Sequence, residues 1–354
     1  MTSLVELQKT NPFLCAYPFN GLVVSPDGRL LACCHSPSRK NTLGRITEVD
    51  SLSEWFWSGP LHHVRNKLAS NTGYPELPCS TCENWDKMGL QPHNHRTAKF
   101  IPWDIDNYNV DATTVRYLEY TPSNLCNQSC VMCGGVYSSK WWQIDKIAIQ
   151  RDELRFRTKD LVNHRTKPEE QIQSLSDKDF EKIITCIREG VWKLYIKGGE
   201  PFADERNLEL LERIASNEFP ELRNISMSTN LARMTPRIVR IFEDIPKNTK
   251  VEVSINISID GVGKQYEWVR STPWEKLVEN VRTIAPILKL GYACSMTMSM
   301  YNFFNIPDIV KGITSLPGHL RKLSGRVVTN PNYINPYAIA TEEDVDLYAE
   351  SHKN

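Results

Sequence analysis

From residue 116 to about 330, β-rich runs alternate with helical ones, and this alternation restricts the fold more than any other feature of the chain. In order the runs read RYLEYT, KDFEKIITCIRE, KLYIKGG, ERNLELLERIAS, RNISMST, TPRIVRIFEDI, VEVSINISID, WEKLVENVRTIAPILK, ACSMTMSM, NIPDIVKGITS and RVVTN. Strands separated by helices predict a parallel sheet with right-handed crossovers. Six strand candidates are too few for a closed eight-fold barrel, so the expected fold is α/β, a partial (β/α)6 TIM-like barrel.

A chain of 354 residues leaves room for a second unit beside it. Residues 1–92 carry turn signals at SPDG and SGP, clustered thiols and only short apolar runs such as GLVV and RLLACC, which reads as a small loop-rich module held by a metal centre. Residues 93–115 read as a linker, 116–330 as the barrel with a charge-dense insertion at 138–175, and 331–354 as a C-terminal extension. The 42 basic and 42 acidic residues cancel, so the overall charge favours neither nucleic acid nor an anionic membrane. A basic leader and an apolar run of membrane-spanning length are both missing, and the expected location is the cytoplasm. In that reducing compartment ten cysteines at close spacings read as metal or cluster ligands rather than disulfides.

Cys126, Cys130 and Cys133 follow directly on the first predicted strand, at the carboxyl end of the sheet, where parallel α/β folds carry chemistry. Structural zinc takes four ligands and an electron-carrying [4Fe–4S] cluster takes four thiolates, so three thiols leave one coordination position open. Taken alone, the spacing also suits zinc with a remote fourth ligand. The second strand ends in KGGEP, where Gly198 and Gly199 permit close backbone approach and Glu200 with Pro201 fixes the exit of the turn. STN after the third strand brings Ser228 and Asn230 to the sheet mouth, and SIDG on the fourth carries Ser258 and Asp260, followed by Arg270.

With CxxxCxxC, KGGEP and SIDG on successive strands, the chain resembles the radical S-adenosylmethionine (radical SAM) superfamily over about residues 116–330. The resemblance implies a [4Fe–4S] cluster on Cys126, Cys130 and Cys133, with S-adenosylmethionine (SAM) chelating the fourth iron and split reductively to a 5′-deoxyadenosyl radical that abstracts hydrogen from a substrate. It further implies SAM contacts at Gly198, Gly199 and Glu200 for the amino group and at Ser258 and Arg270 for ribose and carboxylate, while the hydroxyl and amide of Ser228 and Asn230 at the sheet mouth suit ribose by their own chemistry. A guanidinium suits a carboxylate because it donates two parallel bonds. Asp260 reads as a turn cap. Met132 stands where many members carry an aromatic residue, which bears on the packing beside adenine.

The module's string CAYPFNGLVVSPDGRLLACC, then LGRI, SLSEWFWSG, HHVR and CSTC resembles the SPASM/twitch auxiliary-cluster module. That resemblance assigns Cys15, Cys33, Cys79 and Cys82 to a second [4Fe–4S] cluster, with Cys34 spare or an alternative to Cys33; a zinc site of four thiolates stays open on the spacing. The module usually follows the barrel, whereas here it precedes it. Cys186 and Cys294 read as buried thiols, and His62, His63, His93 and His95 as surface or packing residues. Alternation along the first strand turns Tyr117 and Glu119 inward, and Glu119 reads as satisfied by a polar group on a neighbouring strand. Trp141 and Trp142 read as packing for the insertion rather than a cover over the cluster mouth.

The expected activity is therefore a radical SAM enzyme of the oxidoreductase type, oxidising a small molecule such as a sugar or cyclitol with help from the auxiliary cluster. The alternatives are a maturase acting on a ribosomally made peptide and a non-catalytic Fe–S or zinc scaffold. Its partners would be that substrate and an electron donor such as flavodoxin or ferredoxin.

Overall fold

The apolar positions of the alternating runs gather on one side of a single sheet. The computed structural model describes residues 4–36, 42–90, 113–135, 137–142, 144, 147, 174–328 and 334–336. The strands are β1 (Gly21–Val24), β2 (Arg29–Leu31), β3 (Gly44–Arg45), β4 (Tyr117–Tyr120), β5 (Lys193–Ile196), β6 (Asn224–Thr229), β7 (Glu252–Ser258), β8 (Tyr292–Met298) and β9 (Leu320–Val327). Their order in the sheet is β3-β2-β1-β4-β5-β6-β7-β8-β9. From β4 to β9 every neighbouring pair is parallel and consecutive in sequence. Right-handed crossovers without a change of direction put the connecting helices on one face, and a sheet wound this way curls into a partial (β/α)6 barrel.

The helices that connect these strands are amphipathic and capped where the sequence supplies a cap. Ser176, Asp204 and Thr235 accept backbone N–H bonds at the starts of Asp177–Gly190, Glu205–Ala215 and Pro236–Asn248. Their apolar stripes bury Ile183, Ile187, Leu211, Ile214, Ile241 and Ile245 against Leu118, Leu194, Ile225, Met227, Ile255 and Ile257 of the strands. Each such side chain contributes roughly 1.5–3 kcal/mol on burial, so this convex layer is the main core. Cys186 and Cys294 are buried in it. One helix, Gly263–Arg270, lies between β7 and the expected helix over WEKLVENVRTIAPILK, where its short polar sequence gave no helical signal. The last strand starts at Leu320, earlier than RVVTN, because an edge strand with both faces partly exposed lacks an apolar run.

The first ninety residues differ from the loop-rich expectation. Helices span Leu4–Thr10, Tyr17–Asn20, Leu52–Ser58, Pro60–Ala69 and Glu76–Lys87, organised around the buried Arg65, whose guanidinium donates to the carbonyls of Pro18, Phe56 and Trp57. The SPDG turn closes the hairpin of β1 and β2, with Gly28 at φ +76°. That hairpin joins the barrel's own sheet, because β1 pairs in parallel with β4, Val23 opposite Glu119. A second core, built from Leu14, Tyr17, Phe19, Val23, Leu68 and Tyr117, packs on the concave side of this junction.

Candidate active site

The thiol loop beyond β4 is tied along its length to neighbouring strand and helix ends. Glu200 N–H donates to the Leu125 carbonyl at 2.7 Å, Gly199 N–H to that of Ser123 at 3.2 Å, and Val131 N–H to that of Val269 at 3.0 Å. Ser129 N–H donates to Ser271 Oγ at 2.9 Å, and the Trp141 indole N–H to the Cys130 carbonyl at 2.7 Å. Trp141 and Trp142 are both buried, and Trp141 braces the loop through that hydrogen bond. Residues 148–173 of the insertion, His93 and His95 lie outside the described residues. On the helix Pro60–Ala69, His62 is half-buried and His63 exposed.

The two glycines of KGGEP make room for this loop. A Cβ on Gly199 would lie 2.2 Å from Leu125 O and 2.6 Å from Asn124 O, and one on Gly198, at φ +151°, 2.9 Å from Ser123 O. Close approach of two backbones is what the Cβ side of these positions needs. Glu200 is turned inward as well. Its carboxylate accepts from Thr229 Oγ1 at 2.5 Å, Phe202 N at 3.2 Å and Asn230 N at 2.7 Å, and the residue is 2% exposed. Burial pushes its carboxyl up, against those three hydrogen bonds.

Around the thiols, burial pushes Cys126 up to about 11 and Cys133 up to about 12, and it raises Cys130 against the pull of Arg270. Such thiols keep their protons unless a metal centre takes the charge. Asn230 Nδ2 stands 3.9 Å from Cys126 Sγ, and Arg270 Nη1 stands 3.6 Å from Cys130 Sγ. Asp260 is not a turn cap. It is fully buried, accepts from Thr297 N at 2.6 Å and pairs with Arg270 Nη2 at 2.5 Å, so it holds the guanidinium in place. Arg270 Nε is buried with no hydrogen-bond partner among the described residues. The donor set fits a cluster and its carboxylate-bearing cofactor: three thiols on one loop, N–H donors facing two of them, and a guanidinium with an unsatisfied nitrogen beside them.

The concave face is polar. Tyr195 Oη and Ser228 Oγ lie 2.8 Å apart, and Asn256 Nδ2 donates to Ser228 Oγ at 3.4 Å and to Ser295 Oγ at 3.0 Å. Ser258 continues this side of β7, in register with Ser295. Towards the amino ends of β5–β8 the face opens into a cleft of about 380 Å³ lined by Lys193, Asn224, Ser226, Ser254 and Asn256. Glu119, 1% exposed, is ion-paired with Lys197 from the end of β5, so the neighbouring-strand partner is a cation. Lys197 was missed as a site residue, although the alternation of Leu194, Tyr195 and Ile196 already turns it inward.

In the first module Cys15, Cys33, Cys79 and Cys82 line one narrow cavity, about 20 Å³ of free space, with Tyr17 and His35, and Cys34 is absent from its wall. Cys79 and Cys82 project from one turn of the helix Glu76–Lys87. Burial pushes the Cys33 and Cys79 thiols well up, with neighbouring thiols adding to it. Cys34 instead lies 3.3 Å from Tyr17 Oη, and Tyr17 meets Tyr117 of β4 edge to face at 5.7 Å. Among the described residues, three or more His, Cys, Asp or Glu side chains nowhere form a group that could hold a single metal ion, and no helix is long and apolar enough to cross a membrane.

A family model described as the Radical SAM superfamily matches residues 120–311. Curated proteins give no match. Among solved structures, native anSMEcpe with bound AdoMet is similar at 16% identity and a TM-score of 0.37, over 61% of this chain and 52% of that one. A histidine-tagged form of anSMEcpe with bound AdoMet is similar at 15% identity and 0.43, over 66% and 58%. The chain thus covers little more than half the length of the structures it matches.

Proposed function

We propose, from the premise that this chain belongs to the radical SAM superfamily, whose model covers more than half of it, that it binds a [4Fe–4S] cluster on Cys126, Cys130 and Cys133 and oxidises a hydroxylated small molecule. The observation that carries this reading is the gathering of three thiols on one loop beyond β4, Cys130 buried and Cys126 and Cys133 half-buried, with Asn230 and Arg270 facing two of the sulfurs. When bound, the cluster and SAM supply a 5′-deoxyadenosyl radical able to abstract hydrogen from an unactivated C–H bond.

The chain's own residues bind and orient. Arg270, fixed by Asp260, receives the SAM carboxylate on its unsatisfied nitrogen; Ser228 and Ser258 bind ribose, whereas the Asn230 amide is already held by Ala232 and Asn127; and the carbonyls of the Gly198–Gly199 turn accept from the amino group. Glu200 shapes that turn without spending a carboxylate oxygen on the cofactor, since its oxygens already accept from Thr229, Phe202 and Asn230. A concave face of serine, asparagine and tyrosine side chains supports a substrate rich in hydroxyls over an apolar one.

Cys15, Cys33, Cys79 and Cys82 would hold a second [4Fe–4S] cluster that receives the electron left after hydrogen abstraction, making the net reaction an oxidation. Support comes from the shared cavity and from the contact of Tyr17 with Tyr117, which brings that module onto the barrel's concave side. A flavodoxin- or ferredoxin-like donor would supply the priming electron. The test is anaerobic reconstitution with iron and sulfide counted. About eight irons per chain, falling to about four in the Cys126→Ala, Cys130→Ala, Cys133→Ala triple variant and to about four in a Cys15→Ala, Cys79→Ala variant, is the expected result. Iron that ignores both sets of substitutions overturns the assignment, and zinc in the first module makes that centre structural. Peptide maturation is the second reading; deuterium carried into 5′-deoxyadenosine from a labelled peptide but from no labelled sugar or cyclitol would establish it.

A further inference from the structure

Two of the three loop sulfurs face N–H donors that are themselves held from behind. Arg270 approaches Cys130 at 3.6 Å while the buried Asp260 grips its other nitrogen at 2.5 Å. The Asn230 amide is fixed at both ends: Oδ1 accepts from Ala232 N at 2.8 Å, which turns the NH₂ group towards Asn127 Oδ1 at 2.8 Å and Cys126 Sγ at 3.9 Å. Glu200 connects the pieces. Its Oε2 accepts from Asn230 N at 2.7 Å and its Oε1 from Thr229 Oγ1 at 2.5 Å, while its own N–H bonds the carbonyl of Leu125, the residue before Cys126.

We propose that Glu200 is a positioning residue, aiming the Asn230 amide at Cys126, and that Asn230 and Arg270 together set the reduction potential of the loop cluster by N–H···S donation. The inference rests on the reading that the three thiols hold an iron–sulfur cluster. Reduction adds an electron to the cluster and its thiolates, and a donor aimed at a ligand sulfur stabilises the added charge, so each such bond makes the centre easier to reduce. Because Glu200 accepts bonds from two consecutive residues, Thr229 and Asn230, and donates to the loop, it fixes donor and sulfur relative to each other.

The experiment is an EPR-monitored redox titration of the reconstituted full chain without SAM, so that no cofactor contact contributes; the loop cluster's signal is the one lost in Cys126→Ala. Asn230→Ala and Glu200→Ala should each move its midpoint to more negative potential with iron content retained. Glu200→Gln, which keeps an oxygen for the Asn230 N–H, should stay near the wild-type value. A wild-type midpoint in Asn230→Ala with a full complement of iron overturns the proposal, as does Glu200→Gln shifting as far as Glu200→Ala. A wild-type chain that forms no loop cluster overturns both this proposal and the reading beneath it.

Discussion

Replacing Asp260 by asparagine keeps the side chain's shape and an oxygen for the Thr297 N–H but removes the charge opposite Arg270. Asp260 is fully buried and the Arg270 side chain is 12% exposed, so the guanidinium left behind has little water to turn to. Removing one partner of a buried ion pair costs roughly 3–5 kcal/mol, and Asp260→Asn should fall in that range. Arg270→Met should cost less, about 1–3 kcal/mol, because burial already pushes the Asp260 carboxyl up and the orphaned acid takes a proton. Its folded-state pKa then stands above the unfolded one, so the stability of Arg270→Met declines as pH rises from the ordinary carboxylate value towards the raised one. The double variant should cost less than the two singles together. The assay is guanidinium denaturation followed by far-UV circular dichroism on all four chains. A cost below about 1 kcal/mol for Asp260→Asn, or an additive double variant, would refute the reasoning.

Three further perturbations follow from the geometry. Gly199→Ala puts a Cβ 2.2 Å from Leu125 O and should displace the thiol loop, costing roughly 1–3 kcal/mol and about four irons per chain by iron analysis, while Gly325→Ala, whose Cβ meets nothing nearer than 3.4 Å, should retain them. With the proposed second cluster in the first module, Cys33→Ser should lose its iron whereas Cys34→Ser keeps it, since the cavity is walled by Cys33; equal iron loss in both would contradict that placement. Arg213 and Arg188 hold the Glu218 carboxyl down at about 2, so this contact contributes stability above the ordinary value of 4.5 and loses it as pH falls towards about 2. Acid titration of Glu218→Gln should therefore show a flatter decline over that window than the wild type.

The barrel was legible in the sequence because its strands are buried on the helix side and its helices are amphipathic, so two periodicities alternate without ambiguity. Leu118, Ile225 and Ile257 are apolar for the convex core, which leaves Glu119, Ser226 and Ser258 for the concave face. The helix Gly263–Arg270 was missed because only Tyr266 and Val269 are buried on it, too few for a stripe. In the first module the helices are short and their core includes the charged Arg65, satisfied by three backbone carbonyls, so composition argued for loops. At the site, thiol spacing located the loop, but the inward turn of Glu200 and the pairing of Asp260 with Arg270 depend on side-chain direction at strand ends, where the backbone leaves the two-residue period. The junction of β1 with β4 lies further from reach still, since a parallel pairing across some ninety residues leaves no local trace.

The most direct test of the central claim is 5′-deoxyadenosine formed from SAM by the anaerobically reconstituted chain after dithionite, quantified beside the Cys126→Ala, Cys130→Ala, Cys133→Ala variant. Nucleoside from the wild type and none from the variant is the predicted result. A wild-type chain that carries its iron and yields no nucleoside under any reductant would contradict it, leaving a scaffold in place of an enzyme.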